Sequence, residues 1–328
     1  MGSELAGSRI LVTGGSGFIG SHIVDQLVDE GVAEVVVIDN LIRGRRENLA
    51  GAEARGTVTF VDGSITDAAL VRAHMAGMDY VYHQAALRIT HCAAEPREAH
   101  NVMFTGTFNV LEAAQAAGVK KVVAASSASV YGEPSHLPID EAHPYNNRTL
   151  YGAAKIANEH VLRSFNDMYG LPYVALRYFN AYGPRMDIHG VYTEVMIRWM
   201  ERIEQGLPPL IFGDGEQSMD FIYVVDIARA NLLALKSDAS DIVLNVASGT
   251  QTTLNELSAK LCAIMGHPEL EAEHQEERKV NPVRRRLGST TLARERIGFA
   301  SGITLDEGLA GLVAWWRAAR RAPAGVNA

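Results

Sequence analysis

The chain has 328 residues, 47% of them hydrophobic, and carries 30 Lys and Arg against 38 Asp and Glu for a formal charge of −8. That is too apolar for a disordered chain and long enough for one large or two interleaved α/β domains, while the acidic balance disfavours a phosphate backbone, so no nucleic-acid partner is expected. The opening Met1-Gly2-Ser3-Glu4-Leu5 has no basic stretch followed by an apolar one, and no later run approaches the roughly 18 apolar residues of a membrane span. A soluble, cytoplasmic protein without a membrane partner is the expectation. Cys92 and Cys262 are the two cysteines, far apart and without Cys or His neighbours at metal-ligand spacing. They read as buried, inert thiols, with no metal site.

Short β-branched runs then alternate with helical spacing: Ile10 to Thr13, Val35 to Ile38, Val58 to Val61, Tyr80 to His83, Val122 to Ala125 and Val174 to Arg177. Repeated strand-helix-strand units of this kind build a mostly parallel, doubly wound α/β sheet. Beyond about Asn180 the alternation loosens, and Gly206 to Gly215, with Pro208 and Pro209, reads as irregular chain. The expected division is residues 1–180 for the sheet domain and 181–328 for a smaller substrate-binding lobe, with a strand near 243–247 returning to the sheet. A closing helix from Leu305 to Arg317 places Leu309, Leu312, Val313 and Trp316 on one side, which reads as a core face.

The first strand runs into Thr13-Gly14-Gly15-Ser16-Gly17-Phe18-Ile19-Gly20 and then a helical stretch with Ile23, Leu27 and Val28. Gly15, Gly17 and Gly20 have the spacing that permits a tight turn, approach of backbone to a pyrophosphate, and close helix-strand packing, with the phosphates at the helix N-terminus. This is the dinucleotide signature of a Rossmann-type sheet. Asp39 ends the second strand, where a carboxylate accepts hydrogen bonds from a ribose diol and repels a 2′-phosphate, so NAD is favoured over NADP. Arg43, Arg45 and Arg46 follow closely and read as a solvated loop.

Tyr151 and Lys155 stand one turn apart in a stretch, Leu150 to Tyr169, that reads as helix. Ionising a tyrosine near neutral pH requires a shift of roughly three units, or about 4 kcal/mol. A lysine at about 5 Å supplies roughly 3 kcal/mol before desolvation opposes it, so a second positive charge is needed and the site works only with cofactor bound. Upstream, Ser126-Ser127-Ala128-Ser129-Val130-Tyr131-Gly132 follows the fifth strand, where a hydroxyl is placed to hydrogen-bond a reacting oxygen.

These residues together resemble the extended short-chain dehydrogenase/reductase family, and within it the nucleotide-sugar epimerases and dehydratases. The likeness covers nearly the whole chain. It also rests on His83-Gln84-Ala85-Ala86, on Leu176-Arg177-Tyr178-Phe179-Asn180-Ala181-Tyr182-Gly183-Pro184 and on Phe212-Gly213-Asp214-Gly215. The resemblance implies a tightly held NAD that oxidises a sugar carbon, usually C4, and returns the hydride. Tyr151 would be the acid/base, Lys155 would bind the nicotinamide ribose, and Ser127 would contact the substrate hydroxyl. The cofactor would lie on Gly14, Gly15, Gly17, Phe18, Ile19 and Gly20, on Asp39 and Asn40, on Ser64 and Ile65, and on Ala85, Ala86, Arg88 and Tyr178. The sugar nucleotide would meet Ser127, Ser129, Asn180, Arg185 and Phe212. A homodimer formed through the Leu150–Tyr169 helix and a helix from about Pro96 to Gly118 is implied as well.

The branch is narrowed by an absence. Dehydratases of the family resemble Thr-Asp-Glu-Val-Tyr-Gly at the strand end, where two carboxyl groups drive loss of water; here Ser127, Ala128 and Ser129 stand in that place. The reading is therefore 4-epimerisation of a UDP-hexose of the glucose/galactose type, with UDP-glucuronate, a UDP-N-acetylhexosamine, a dehydratase, or a non-catalytic NAD-binding sensor as alternatives. Arg185 aligns with an arginine that meets the sugar carboxylate in glucuronate epimerases. Met219 stands where the family usually has a diphosphate-binding arginine, so Lys279 and the cluster Arg284, Arg285 and Arg286, Arg284 foremost, are candidates for its charge. Ser64 replaces an aspartate and Met103 an asparagine of the family pattern. His22, His91 and His189 read as structural.

Overall fold

A computed structural model describes residues 5–188, 195–276 and 283–321. Lys279 and His189 lie outside the described residues. Six strands, β1 (Arg9–Thr13), β2 (Glu34–Asp39), β3 (Val58–Asp62), β4 (Tyr80–His83), β5 (Lys121–Ser127) and β6 (Tyr173–Tyr178), join a seventh, Ile242–Val246, in one sheet. From one edge the order is Ile242–Val246, β6, β5, β4, β1, β2, β3, and every pairing is parallel. Residues 242–246 thus return to the main sheet across a long excursion, pairing with Val174 to Tyr178.

The strands are apolar in consecutive positions because both faces are covered. Ile10, Val12, Val35, Val37, Val174 and Leu176 pack on one side of the sheet. Leu11, Val36, Ile38, Val81, Val122 and Ala175 pack on the other. A third cluster lies in the C-terminal part, where Trp199 and Ile197 of the Val195–Glu204 helix meet Leu257, Leu261, Leu312 and Trp316. Each of these large side chains stabilises the fold by about 1.5–3 kcal/mol. The closing helix runs Leu305–Arg321, and Leu309, Leu312, Val313 and Trp316 are all buried. Cys92 and Cys262 are buried free thiols.

Gly206 to Gly215 is more ordered than its prolines suggest. It contains the strand Leu210–Phe212, paired with Glu273–Gln275, a partner about 60 residues away that local composition does not reveal. The helix expected from Pro96 continues to Ala116 through a π-helical stretch at Asn101–Gly106. Among the described residues no helix is long and apolar enough to cross a membrane.

Candidate active site

The strand order reverses between β1 and β4, and a cavity of about 1060 Å³ opens there, outside the carboxyl ends of the strands. Its first half is made by the glycine loop. Gly14 has φ 69°, and a Cβ there would stand 2.7 Å from the Ala85 backbone nitrogen, so only glycine allows β1 and β4 to deliver their loops this close together. A Cβ on Gly20 would lie 2.2 Å from the Gly14 carbonyl oxygen. Gly15 faces the Val37 side chain, 2.8 Å from such a Cβ, and does not line the cavity, unlike Gly14, Gly17 and Gly20. A Cβ there would disturb the packing of the loop on the second strand.

The helix Phe18–Asp29, α1, starts with Gly17 at its N-cap, without a side-chain cap and without an acidic residue in its first turn. Its first residues, Phe18, Ile19 and Gly20, line the cavity, and the N–H groups of a helix's first turn lack intrahelical partners. Asp39 is 8% exposed; it accepts the Ser16 N–H at 3.0 Å and the Leu41 N–H at 2.9 Å, and burial pushes its carboxyl above the usual range. Asn40, Ser64 and Ile65 continue that wall, and Ala85, Ala86 and Arg88 close it from the β4 side. Arg43 pairs with Asp187 at 3.4 Å, and the partly exposed Arg45 with Glu47 at 3.5 Å.

The reactive centre sits where the halves meet. Thr149 caps the Leu150–Tyr169 helix through its Oγ1, which accepts the Gly152 N–H at 3.1 Å, and Gly170, φ 69°, ends it. Tyr151 and Lys155 project from its first turns into the cavity. Ser127 hydrogen-bonds the Tyr151 hydroxyl and lowers its pKa, but burial is larger and holds the phenol above its ordinary value. Lys155 Nζ donates to the Ala125 carbonyl at 2.7 Å and lies 5.8 Å from the Tyr151 ring centre. Burial brings this lysine down to about 8. A phenol pushed up and an ammonium pushed down describe a pair awaiting further charge. Tyr178 lines the cavity too, with its hydroxyl held by Gln84 and Asn231.

A buried network behind this pair escaped the sequence reading. Glu159, one turn beyond Lys155, accepts from the Ser126 hydroxyl and pairs with Arg177 at 2.6 Å, both side chains under 5% exposed. Arg177 also donates to the hydroxyls of Tyr131 at 2.8 Å and Tyr145 at 3.0 Å. This ties β5, β6 and the Tyr151 helix together beneath the reacting atoms. The signal was available: an arginine within a strand covered on both faces requires a buried anion.

The second half of the cavity is lined by Ser129, Asn180, Arg185 and Phe212, together with Arg198, Trp199 and Arg202 of the Val195–Glu204 helix, which the sequence reading missed. Asn180 Oδ1 is buried without a hydrogen-bond partner. Arg185, at φ 68°, pairs with Asp25 of α1 at 2.7 Å. Arg284 differs from expectation: it pairs with Asp214 at 2.7 Å, both more than half exposed, and does not line the cavity. Arg286, two residues on, does. Ser218 holds the backbone of this segment, its N–H donating to Arg284 O and its carbonyl accepting the Arg286 N–H, both at 2.9 Å.

Residues 10–247 match the model of the NAD dependent epimerase/dehydratase family. The chain belongs to this family. A UDP-glucose 4-epimerase of Mycolicibacterium smegmatis is 36% identical over 317 residues, 94% of this chain and 98% of that one. Among solved structures, a UDP-N-acetylglucosamine 4-epimerase of Methanobrevibacter ruminantium, in complex with UDP-N-acetylmuramic acid, superposes with a TM-score of 0.90 at 35% identity, over 96% of this chain and 99% of that one. The UDP-glucose 4-epimerase of Thermotoga maritima, with UDP-glucose, gives 0.88 at 36%, over 95% and 99%. The cofactor of the family is NAD, and this epimerase-type cavity fits it: the uncapped α1 N-terminus, opening on the cavity at Gly17 and Phe18, suits a pyrophosphate.

Proposed function

We propose that the protein interconverts the C4 epimers of a UDP-hexose through a 4-keto intermediate. The observation that carries this is the constellation of Tyr151, Ser127 and Lys155 around one cavity shared with the uncapped α1, with Ala128 and Ser129 in place of a carboxyl pair. NAD, when bound, supplies a reversible hydride acceptor and a positive charge near the phenol. Lys155 and Ser127 then hold Tyr151 as phenolate, and Tyr151 takes the proton of the C4 hydroxyl as that carbon is oxidised. The keto sugar turns over in the second half of the cavity, and Tyr151 returns the proton to the C4 oxygen as the hydride given up by C4 comes back to the opposite face of that carbon. Loss of water would need an acid/base pair that the strand end lacks, which disfavours a dehydratase. Relatives that act on UDP-glucose and UDP-N-acetylglucosamine support the nucleotide assigned.

The test is turnover of UDP-glucose and related sugars by the NAD-loaded protein in D2O, followed by NMR. Epimerisation without solvent deuterium in the product is expected; deuterium at C5 with an accumulating keto sugar would identify a dehydratase instead.

We also infer a homodimer. Phe108 is 48% exposed, Met168 68% and Tyr169 53%, on the two helices that flank the site. Phe108 meets Phe165 edge-on at 5.6 Å, and Phe165 meets Tyr169 at 5.3 Å, giving an aromatic patch suited to a second copy. Phe108→Glu should convert a sedimenting dimer to monomer. The free thiols suit a reducing compartment, and a cytoplasmic location is part of the same proposal.

A further inference from the structure

Three successive residues of β5 each hold one side chain of the Leu150–Tyr169 helix. The Ala125 carbonyl accepts Lys155 Nζ at 2.7 Å, the Ser126 hydroxyl donates to Glu159, and Ser127 hydrogen-bonds the Tyr151 hydroxyl. Tyr151, Lys155 and Glu159 follow one another a turn apart, on one face of the helix. Tyr151 and Lys155 line the cavity; Glu159 does not.

Glu159 is instead fixed from behind. Besides Ser126, its Oε1 accepts Arg177 Nε at 2.9 Å, and its Oε2 accepts Arg177 Nη2 at 2.6 Å and the Tyr145 hydroxyl at 3.1 Å. Arg177 is tied in turn to the Tyr131 hydroxyl at 2.8 Å and the Glu141 carbonyl at 3.1 Å. A buried carboxylate with all these bonds made is a rigid point. Ser126 links that point to the strand end, and it stands between the two residues that serve the reacting pair. Ser127 Oγ accepts the Ser129 N–H at 3.1 Å, which leaves its own hydrogen for the phenol oxygen. A hydrogen bond weakens steeply out of line. Lys155 reaches its carbonyl on a flexible four-carbon stem and tolerates a slip between strand and helix; Ser127, with one carbon, does not.

We propose that Glu159 is a positioning residue for the epimerisation: through Ser126 it sets the register at which Ser127 meets the Tyr151 hydroxyl. The reaction it serves rests on the epimerase reading; the placement of the phenol does not.

The experiment uses the NAD-loaded protein and its Ser126→Ala, Glu159→Asp and Tyr145→Phe variants. Ionisation of Tyr151 is read from phenolate absorbance, each protein against the same protein carrying Tyr151→Phe. kcat and KM are followed over pH with UDP-glucose and UDP-N-acetylglucosamine. Ser126→Ala should move the Tyr151 ionisation up by about one pH unit, part of what a hydrogen bond to an ionised group contributes. The phenolate is the active form, so kcat should fall about tenfold at pH below both ionisations and approach wild type above them, with KM within about twofold. Lys155 on the same helix, Cys92 of the Ile89–Ala94 helix, Tyr178 of β6 and Arg286 are the titratable and charged groups facing the phenol. Ser126→Ala leaves all four in place, so the shift reports the Ser127 bond. Glu159→Asp, a methylene shorter, cannot hold Arg177 and Ser126 together and should give the same shift, not enlarged by adding Ser126→Ala. Tyr145→Phe takes a hydroxyl from the same carboxylate outside the cavity and should leave the ionisation where it is. An unshifted Tyr151 in Ser126→Ala, or a kcat lowered evenly at all pH, would make Glu159 merely structural and overturn the proposal. A raised KM would make Ser126 a ligand contact and do the same. Should Glu159→Asp not fold, Ser126→Ala decides alone. A wild type that turns over neither sugar would overturn the epimerase reading, while the Tyr151 ionisation would still decide the positioning.

Discussion

The two halves of the cavity are built by different means. The cofactor half comes from consecutive strand ends, β1, β2, β3 and β4, each with its loop immediately after it, between Gly14 and Arg88. The sugar half is assembled from Ser127 and Ser129, Asn180 and Arg185, the Val195–Glu204 helix, Phe212 and Arg286, pieces spread over about half the chain. A half made of contiguous units is specified by glycines and strand ends that act locally. A half made of distant pieces is specified by what brings those pieces together, and its residues can change partner while the fold persists.

Substitutions can break that comparison or sharpen it. Tyr151 lies on the seam. Tyr151→Phe should lower kcat by roughly 10²- to 10⁴-fold, the usual worth of a positioned acid/base, while NAD stays bound and thermal stability is little changed. Loss of NAD in this variant would mean that the seam is part of the cofactor half. Gly20→Val tests the local half directly. With the Gly14 carbonyl 2.2 Å from the new Cβ, it should cost about 2–4 kcal/mol in stability, read by urea unfolding, and empty the protein of NAD.

Acid should act on both halves through two histidines, His22 partly buried and His83 buried. Burial brings His22 to about 4 and His83 to about 3. His22 sits on α1 and hydrogen-bonds the Pro184 carbonyl at 3.1 Å, while His83 is held between Thr13 at 2.8 Å and Thr107 at 2.9 Å. Both folded values lie below the unfolded one of about 6.5, so on acidification the unfolded chain takes up protons first. Their contribution is complete above about pH 6.5 and declines as pH falls through that value toward the folded ones, by about 2 kcal/mol per imidazole at pH 5. His22→Gln should remove its share of the drop in unfolding free energy between pH 7 and pH 5. The smallest effect is expected of Arg284→Ala, which removes an exposed pair with Asp214 and should change kcat/KM by less than about twofold. A large loss there would return Arg284 to the site.

His91 pairs with Glu98 at 2.8 Å outside the cavity, and Gly15 shows how a motif position can serve the packing of the fold without lining that cavity. Glu159 and Arg177 show the opposite case, two charges whose meaning depends on their meeting across 18 positions, behind the reacting tyrosine.

From its residues alone this chain was legible as a parallel, doubly wound α/β protein with a dinucleotide loop and a Tyr-Lys pair, because those features arise within a few residues: strand alternation, a glycine turn, one turn of helix. Which arginine enters the sugar half, whether Arg185 keeps its charge available, and how Leu210–Phe212 becomes a strand were decided by tertiary structure. In each case the deciding partner, Ser218, Asp25 or the Glu273–Gln275 strand, is distant in sequence, and pairing at that range depends on where the folded chain has already placed both sides.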